Sequence, residues 1–344
     1  MSKLEVILAG RGENRKFKGP GEILFEYTGI RRAYREQTEL LPFLDQLDPE
    51  KPTLFPVIGQ AYVVPTAWAT LQPDNQIHIV EMDHHEYDAC NRVLANFDNV
   101  NIHLEEDLPA ELKCEQAVLL IEANSDRLLM FEMIERLNMI LPDGSTIFVI
   151  IPKRREKDFV KKLQKHLRKP QVMGQSREGC TFRGLTRKDK NKWTERRAEF
   201  VSDTFTDEVQ LSSRPGVFCH GREDQGGKVL AECVELEFNQ KVLELGAGCG
   251  TTGLLLAQSL QRRADGQEHG TTIRLVDSHI RATESAKRNI EANGFDFVTT
   301  ELQHNFKIDE GEEEYDVVVG NPPYYANNRI ADYFIRTASQ VLKI

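Results

Sequence analysis

The ten residues Lys241-Val242-Leu243-Glu244-Leu245-Gly246-Ala247-Gly248-Cys249-Gly250 limit what this chain can fold into more than any other stretch. Lys241 to Leu245 reads as a short buried strand, and the glycines behind it allow a sharp turn into a helix beginning near Thr251. Glycine is needed at such a turn because a side chain would keep the backbone from closing over a ligand, and because the turn calls for positive φ. A strand, a glycine turn and a helix N-terminus make a nucleotide-type pocket in which free N–H groups point at the ligand. Gly248, Gly250 and Gly253 also satisfy G-x-G-x-x-G, so a dinucleotide-binding dehydrogenase is one reading of this stretch taken alone.

Two further features weigh against a dinucleotide. Glu244 stands just before the turn, where a carboxylate suits a cationic ligand better than a pyrophosphate. Downstream, Val317-Val318-Val319-Gly320-Asn321-Pro322-Pro323-Tyr324 places Asn-Pro-Pro-Tyr at the end of a fourth strand. Together these residues resemble the class I S-adenosylmethionine (SAM) methyltransferases, and within them the Asn-Pro-Pro-Tyr subclass that methylates planar amino nitrogens.

At 344 residues the chain has room for two domains of about 150 residues each. Hydrophobic residues at 40% and charged residues at 28% are those of a globular chain. No apolar run approaches the roughly 20 residues that span a bilayer, and the N-terminal apolar stretch is too short and too early-acidic for a signal peptide. Cys90, Cys114, Cys180, Cys219, Cys233 and Cys249 form no C-x-x-C pair, which predicts free thiols in a reducing cytoplasm and no metal centre. His84-His85 before Glu86 lacks a third ligand at metal spacing and reads as a solvated helix start. The net charge of −10 argues against a nucleic-acid partner until its distribution is considered. From Pro152 to Arg197 there are 17 Lys or Arg against 5 Asp or Glu, leaving −22 on the remainder. A basic block inside an acidic chain is an electrostatic footprint for RNA, and equally the mark of a solvated helical face.

The element order supports a duplication. After a strand at Leu4 to Leu8, a basic turn at Arg11 to Lys18 and a helix through Ile30 to Leu47, strands alternate with helices. Strands are predicted at Leu54 to Ile58, Gln76 to Val80, Val100 to Leu104, Ala117 to Ile121 and Ser145 to Ile151, with helices at Thr66 to Leu71, Glu86 to Phe97, Leu128 to Leu141 and Asp158 to Leu167. A hairpin-like pair near Val172 and at Thr181 to Leu185 closes this half. Alternation of this kind implies right-handed βαβ units and a parallel sheet covered on both faces. The second half repeats the order, with strands Lys241 to Leu245, Thr272 to Val276, Phe297 to Leu302 and Tyr315 to Val319 and helices Thr252 to Ser259, Ile280 to Ala292 and Arg329 to Leu342. The fold class expected is therefore α/β, with tandem class I methyltransferase (Rossmann-like) domains. The boundaries expected are a degenerate copy over 1–187, a linker or hairpin over 188–213, and a SAM-binding catalytic domain over 214–344.

The first copy looks chemically dead. It has Phe55-Pro56-Val57-Ile58-Gly59-Gln60-Ala61 where the second has its glycine loop, and Ile121-Glu122-Ala123-Asn124-Ser125 where the second has Asn-Pro-Pro-Tyr. It reads as a scaffold and RNA-binding half; the competing view is that Glu81 and Asp83 still hold an adenosine ribose. Between the halves, Trp193 and Phe200 are candidate anchors and Glu199 to Leu211 a candidate hairpin.

Arg214-Pro215-Gly216-Val217-Phe218, the Asp224-x-Gly226 helix start, the glycine loop and Asn-Pro-Pro-aromatic, in this order, are similar to the bacterial ribosomal RNA guanine-N2 methyltransferases. The resemblance covers about residues 190 to 344 and departs after Phe218, where Cys219-His220-Gly221-Arg222 stands. It implies SAM as cofactor and ribosomal RNA or a ribosomal subunit as partner. It also implies that Gly246, Gly248 and Gly250 let the backbone approach the methionine portion, that Glu244 accepts from the ammonium, and that Asp277 accepts from both ribose hydroxyls. Asn305 would pair the adenine edge. A structural alternative for Asp277 is a helix cap, a task Ser278 could take instead. Asn321 and the Pro322 carbonyl would accept from the target amino group, Pro322 and Pro323 would fix that backbone, and Tyr324 would stack on the base with help from Tyr325. The chain stops at Ile344, twenty residues after Tyr324, where the family continues through further strands, so the sequence is either a fragment or a naturally short form. Two other functions stay open: methylation of an adenine or a protein glutamine amino group, and a non-catalytic RNA-binding or assembly role.

Overall fold

A computed structural model describes residues 2–8, 12–30, 32–60, 62–122, 126–152, 159–190, 193–204, 206–306, 314–323 and 329–343. The chain forms two compact units, Met1–Glu195 and Arg196–Ile344. Among the described residues no helix is long and apolar enough to cross a membrane.

The first unit opens with a small sheet of β1 (Lys3–Ile7), β2 (Glu13–Lys18) and β3 (Leu24–Ile30) in the order β1-β3-β2. Most of the stretch expected to be a basic turn is thus strand β2, whose one apolar residue, Phe17, meets Tyr27 edge-on at 5.9 Å. The helix expected over Ile30 to Leu47 is instead a 3-10 segment, Arg32–Gln46. Pro42 lies inside it, and a residue without an N–H cannot sustain the i→i−4 ladder of an α-helix.

The alternating elements follow: β4 (Thr53–Ile58), α1 (Val63–Leu71), β5 (Ile77–Glu81), α2 (His84–Leu94), β6 (Val100–Leu104), β7 (Gln116–Ile121), α3 (Arg127–Ile140), β8 (Thr146–Pro152), α4 (Phe159–His166), β9 (Arg168–Gln175) and β10 (Gly179–Leu185). They build a seven-stranded sheet in the order β6-β5-β4-β7-β8-β10-β9, parallel from β6 to β8 and antiparallel at β10 and β9. β4 and β7 are buried along their whole length, which is why they read as continuous apolar runs rather than alternating ones. One face of the sheet, through Phe55, Val57, Ile77, Ile79, Val118 and Leu120, packs on α1, α2 and the N-terminal sheet. Trp193 belongs to this unit, under the Arg136 guanidinium at 4.7 Å.

The second unit begins with the hairpin β11 (Ala198–Asp203) and β12 (Glu208–Ser213). The segment expected as a linker is therefore shared out, 188–195 falling with the first unit and the hairpin with the second. Then come α5 (Gln225–Cys233), β13 (Lys241–Leu245), α6 (Thr251–Ala264), β14 (Thr272–Asp277), α7 (Ile280–Asn293), β15 (Val298–Leu302), β16 (Val317–Gly320) and α8 (Arg329–Val341). Its four strands are parallel in the order β15-β14-β13-β16, the same order as β6-β5-β4-β7 in the first unit. One core, with Leu254, Leu255, Ile273, Leu275 and Phe295, includes residues of the hairpin and α7; another, with Leu243, Leu245, Val276 and Phe306, includes residues of α8.

Candidate active site

The parallel register pairs Leu245 of β13 with Val276 of β14 and with Gly320 of β16. Three strand ends therefore deliver the glycine loop, Asp277 and Asn321 to one edge of the sheet. The loop folds back on β14, with the Gly246 and Ala247 N–H groups donating to the Val276 carbonyl at 2.8 and 3.1 Å. Gly248 and Gly250 hold φ of 58° and 93°, the left-handed region where a side chain is strained. Among the described residues a Cβ on Gly248 would meet nothing within 4 Å, which leaves space on that side of the loop. Cys249 is buried in the loop, and burial pushes its thiol up to about 12.

Glu244 is 3% exposed and its Oε2 accepts the Gly253 N–H at 2.8 Å, in the first turn of α6. Burial pushes this carboxyl up to about 8, against the opposing pull of the Gly253 N–H and the Thr252 hydroxyl. Gly253 is tied to this arrangement, since a Cβ there would lie 2.6 Å from Glu244 Oε2 and 2.3 Å from Leu275 Cδ2. Asp277 bridges two backbones: Oδ2 accepts from Gly248 at 2.8 Å and Oδ1 from His279 at 2.8 Å. The cap of α7 is neither Asp277 nor Ser278 but His279, whose Nδ1 accepts the Arg281 N–H. Asn305 is exposed at the end of the segment after β15, next to buried Phe306.

Asn321 turns its amide nitrogen to Asp224, at 3.4 Å from Oδ1 and 3.2 Å from Oδ2. Asp224 is also the N-cap of α5, accepting the Gly226 N–H at 3.0 Å. The fit is tight: a Cβ on Gly226 would fall 2.6 Å from Asn321 Nδ2, and one on Gly227 2.8 Å from Asp224 Oδ2. A carboxylate can only accept, so it fixes which end of the amide faces it and leaves Asn321 Oδ1 to face elsewhere. Pro322 and Pro323 are half-buried beside it; Tyr324 and Tyr325 lie outside the described residues. Of the residues expected in the site, the structure brings Glu244, the loop glycines, Asp277 and Asn321 to one strand-end edge. Asp224 was legible only as a helix start, because its partner lies 97 residues away.

The corresponding strand ends of the first unit are differently filled. Gly59 has φ of 117°, and a Cβ on it would lie 2.4 Å from Glu122 Cβ. Gln60 Nε2 donates to Glu86 at 2.8 Å, and Tyr62 Oη donates to its other oxygen at 2.5 Å. Asp83 caps α2, accepting from His85 and Glu86, while Glu81 is 1% exposed and burial raises its carboxyl well above the usual range. The chain's own side chains thus crowd this turn. Asn124 lies outside the described residues.

A parallel sheet entered in this strand order, with its glycine turn behind the first strand of the set, has the class I methyltransferase fold. More particularly, residues 208–344 match the family described as Methyltransferase small domain. Ribosomal RNA small subunit methyltransferase C of Hahella chejuensis is 29% identical over 151 residues, 43% of this chain and 41% of that protein. The protein of the same description from Pseudomonas aeruginosa is 32% identical over 118 residues, 34% of this chain and 32% of that one. The alignments thus span about two fifths or less of these relatives' lengths. A solved structure, T. thermophilus 16S rRNA N2 methyltransferase RsmC in complex with AdoMet and guanosine, is similar with a TM-score of 0.70 at 19% identity, covering 96% of this chain and 87% of that one. That likeness extends the fold to the whole chain, first unit included.

Proposed function

We propose that this chain is a SAM-dependent methyltransferase acting on the exocyclic N2 amino group of a guanine in ribosomal RNA, with the first unit an inactive copy that holds the RNA. One observation carries the reading: Asn321, oriented by Asp224, follows the strand paired in register with the strand that ends in the glycine loop. The pocket's donor set fits SAM. Space open among the described residues over Gly248, a buried carboxyl on Glu244 and the strand-end carboxylate of Asp277 suit, respectively, a methionine chain, an ammonium and a ribose diol. SAM would supply an electrophilic methyl group on a sulfonium.

The chain's part is alignment. A guanine amino nitrogen has its lone pair delocalised into the ring, so it must be held and polarised before it attacks. Asn321 Oδ1 and the Pro322 carbonyl would each accept one N–H, drawing the nitrogen toward tetrahedral geometry, and the prolines preorganise both acceptors. With the nitrogen held by these two acceptors, the N–C bond would form as the sulfonium C–S bond breaks, leaving the neutral thioether, and the extra proton on the nitrogen would pass to water. The negative charge of Asp224 behind the amide makes Oδ1 a stronger acceptor while positive charge grows on the nitrogen. Alignment of this kind contributes several kcal/mol, up to roughly 7–11 in favourable systems. A base inside a duplex would have to unstack to enter, which favours an exposed or single-stranded segment.

Asn321→Ala is expected to abolish methyl transfer to small-subunit rRNA while calorimetry still shows SAM binding. Loss of SAM binding in that variant, or unchanged transfer, counts against the reading. Labelled SAM with rRNA and with protein acceptors in parallel separates guanine N2 from an adenine or glutamine target. RNA affinity without any SAM binding would instead identify a non-catalytic RNA-binding protein.

A further inference from the structure

Helix α8 brings two neighbouring aromatic side chains, edge-on to each other at 6.1 Å, against different elements of the site. Tyr333 Oη accepts the N–H of Phe306 at 2.9 Å. Phe306 is 3% exposed, and its ring lies 5.2 Å from the Arg274 guanidinium and edge-on to Tyr315 at 6.1 Å. Arg274 is itself fixed, donating to Glu301 at 2.8 Å and to Tyr315 Oη at 3.1 Å. The segment carrying Asn305 is therefore gripped through its neighbour from α8 and from the sheet. Phe334 packs against the strand ends themselves. A Cβ on Gly246 would come within 2.8 Å of its Cζ, and a Cβ on Gly320 within 2.8 Å of its Cδ2. Its ring thus lies across the two points where β13 passes into the glycine loop and β16 into Asn-Pro-Pro.

The helix that holds both rings is anchored at its far end. The Tyr315 N–H donates to Val341 at 2.8 Å and the Lys343 N–H to Tyr315 at 2.9 Å. Lys343 Nζ reaches Asp316 at 2.7 Å, and Asp316 also accepts the Lys241 N–H at 2.7 Å. We propose that Tyr333 and Phe334 are positioning residues for methyl transfer. Tyr333 sets the Asn305–Phe306 segment and thereby the adenine end of the cofactor site. Phe334 sets the separation between the glycine loop and Asn321, and thereby the alignment of methyl donor and acceptor nitrogen. This rests on the methyl-transfer reading above.

The test uses the full chain, with SAM calorimetry and single-turnover transfer to small-subunit rRNA at saturating SAM. Tyr333→Phe keeps the ring and removes the hydroxyl; it is expected to weaken SAM binding by about tenfold and leave the saturated rate unchanged. Phe334→Ala is expected to do the reverse, slowing transfer by about tenfold or more with SAM affinity within about twofold, and Phe334→Leu to restore most of the rate. A merely structural role would lower the melting temperature without separating the two quantities. Variants that match wild type in both, or lose both by the same factor, overturn the proposal while a wild type that binds and transfers leaves the methyl-transfer reading intact. A wild-type chain that binds no SAM overturns both.

Discussion

If Glu244 receives the ammonium of SAM as proposed, a single buried group ties cofactor binding to pH. Its carboxyl is pushed up to about 8 by burial, so in the free protein near neutrality it is mostly protonated. For an acid raised from 4.5, the folded state holds the proton more tightly than the unfolded one. The stabilising contribution is full below about 4.5 and is lost as pH rises through about 8. An ammonium placed beside the carboxylate reverses the preference and expels the proton. SAM affinity is therefore expected to rise from pH 6 toward about 8 and to fall again above it as the ligand's α-ammonium is lost, with proton release below that maximum visible as a dependence of the calorimetric heat on buffer ionisation. Glu244→Gln should flatten that profile and weaken binding; a wild-type affinity unchanged over this range would remove Glu244 from the cofactor site. Gly253→Ala probes the same contact from the other side. The new methyl would meet both Glu244 and Leu275, and the expected cost is about 1–3 kcal/mol in denaturant unfolding, with weaker SAM binding.

The elements around the site depend on a residue that sequence alone would not single out. Asn289, on α7 and 2% exposed, donates to the Cys249 carbonyl at 2.8 Å and to Ser212 at 3.0 Å. Its Oδ1 accepts the Ser212 N–H and hydroxyl at 2.8 and 3.0 Å. One amide thus joins the glycine loop, hairpin and helix with its hydrogen-bonding capacity filled. Asn289→Ala strands those backbone groups and is expected to cost about 2–3 kcal/mol, read as a lower denaturant midpoint, and to raise exchange of the Ser212 amide. A loss below about 0.5 kcal/mol would mean that water replaces the amide. Apolar runs and glycine turns made the alternating strands and helices of both units legible in their order along the chain, because those signals are local; the order of the strands within each sheet was not. Strands β2 and β3 were missed as well; in β2 five of the six residues are polar and the strand pairs across an exposed surface. Pro42 in the 3-10 segment is a local signal against a regular α-helix through that stretch. The Asp224–Asn321 contact and the Asn289 junction were beyond reach for a different reason. Each joins polar residues brought together by tertiary packing, and no spacing along the chain announces them.

At the scale of the whole molecule the charge distribution sets the RNA prediction. The chain carries −10 overall, yet Pro152 to Arg197 carries 17 basic residues against 5 acidic ones. Within the described part of that block, Lys161 and Lys165 lie on α4 and Lys169 on the edge strand β9, all exposed. None of the three has an ion-pair partner among the described residues, in contrast to Arg168, which pairs with Asp143 at 3.1 Å. Uncommitted exposed lysines are what phosphate contacts require, since binding then displaces only counterions and not an internal partner. In the proposed reading they would hold RNA without reading its sequence and leave recognition of the base to the second unit. The triple change Lys161→Glu, Lys165→Glu and Lys169→Glu is therefore expected to weaken rRNA binding at least about tenfold at low salt. It should flatten the slope of log affinity against log salt by about 0.7 for each lost phosphate contact, so by about two in all. SAM affinity should stay at the wild-type value, because the substitutions lie on the first unit. An unchanged salt slope would mean that these lysines are a solvated face and that the RNA is held elsewhere on the chain.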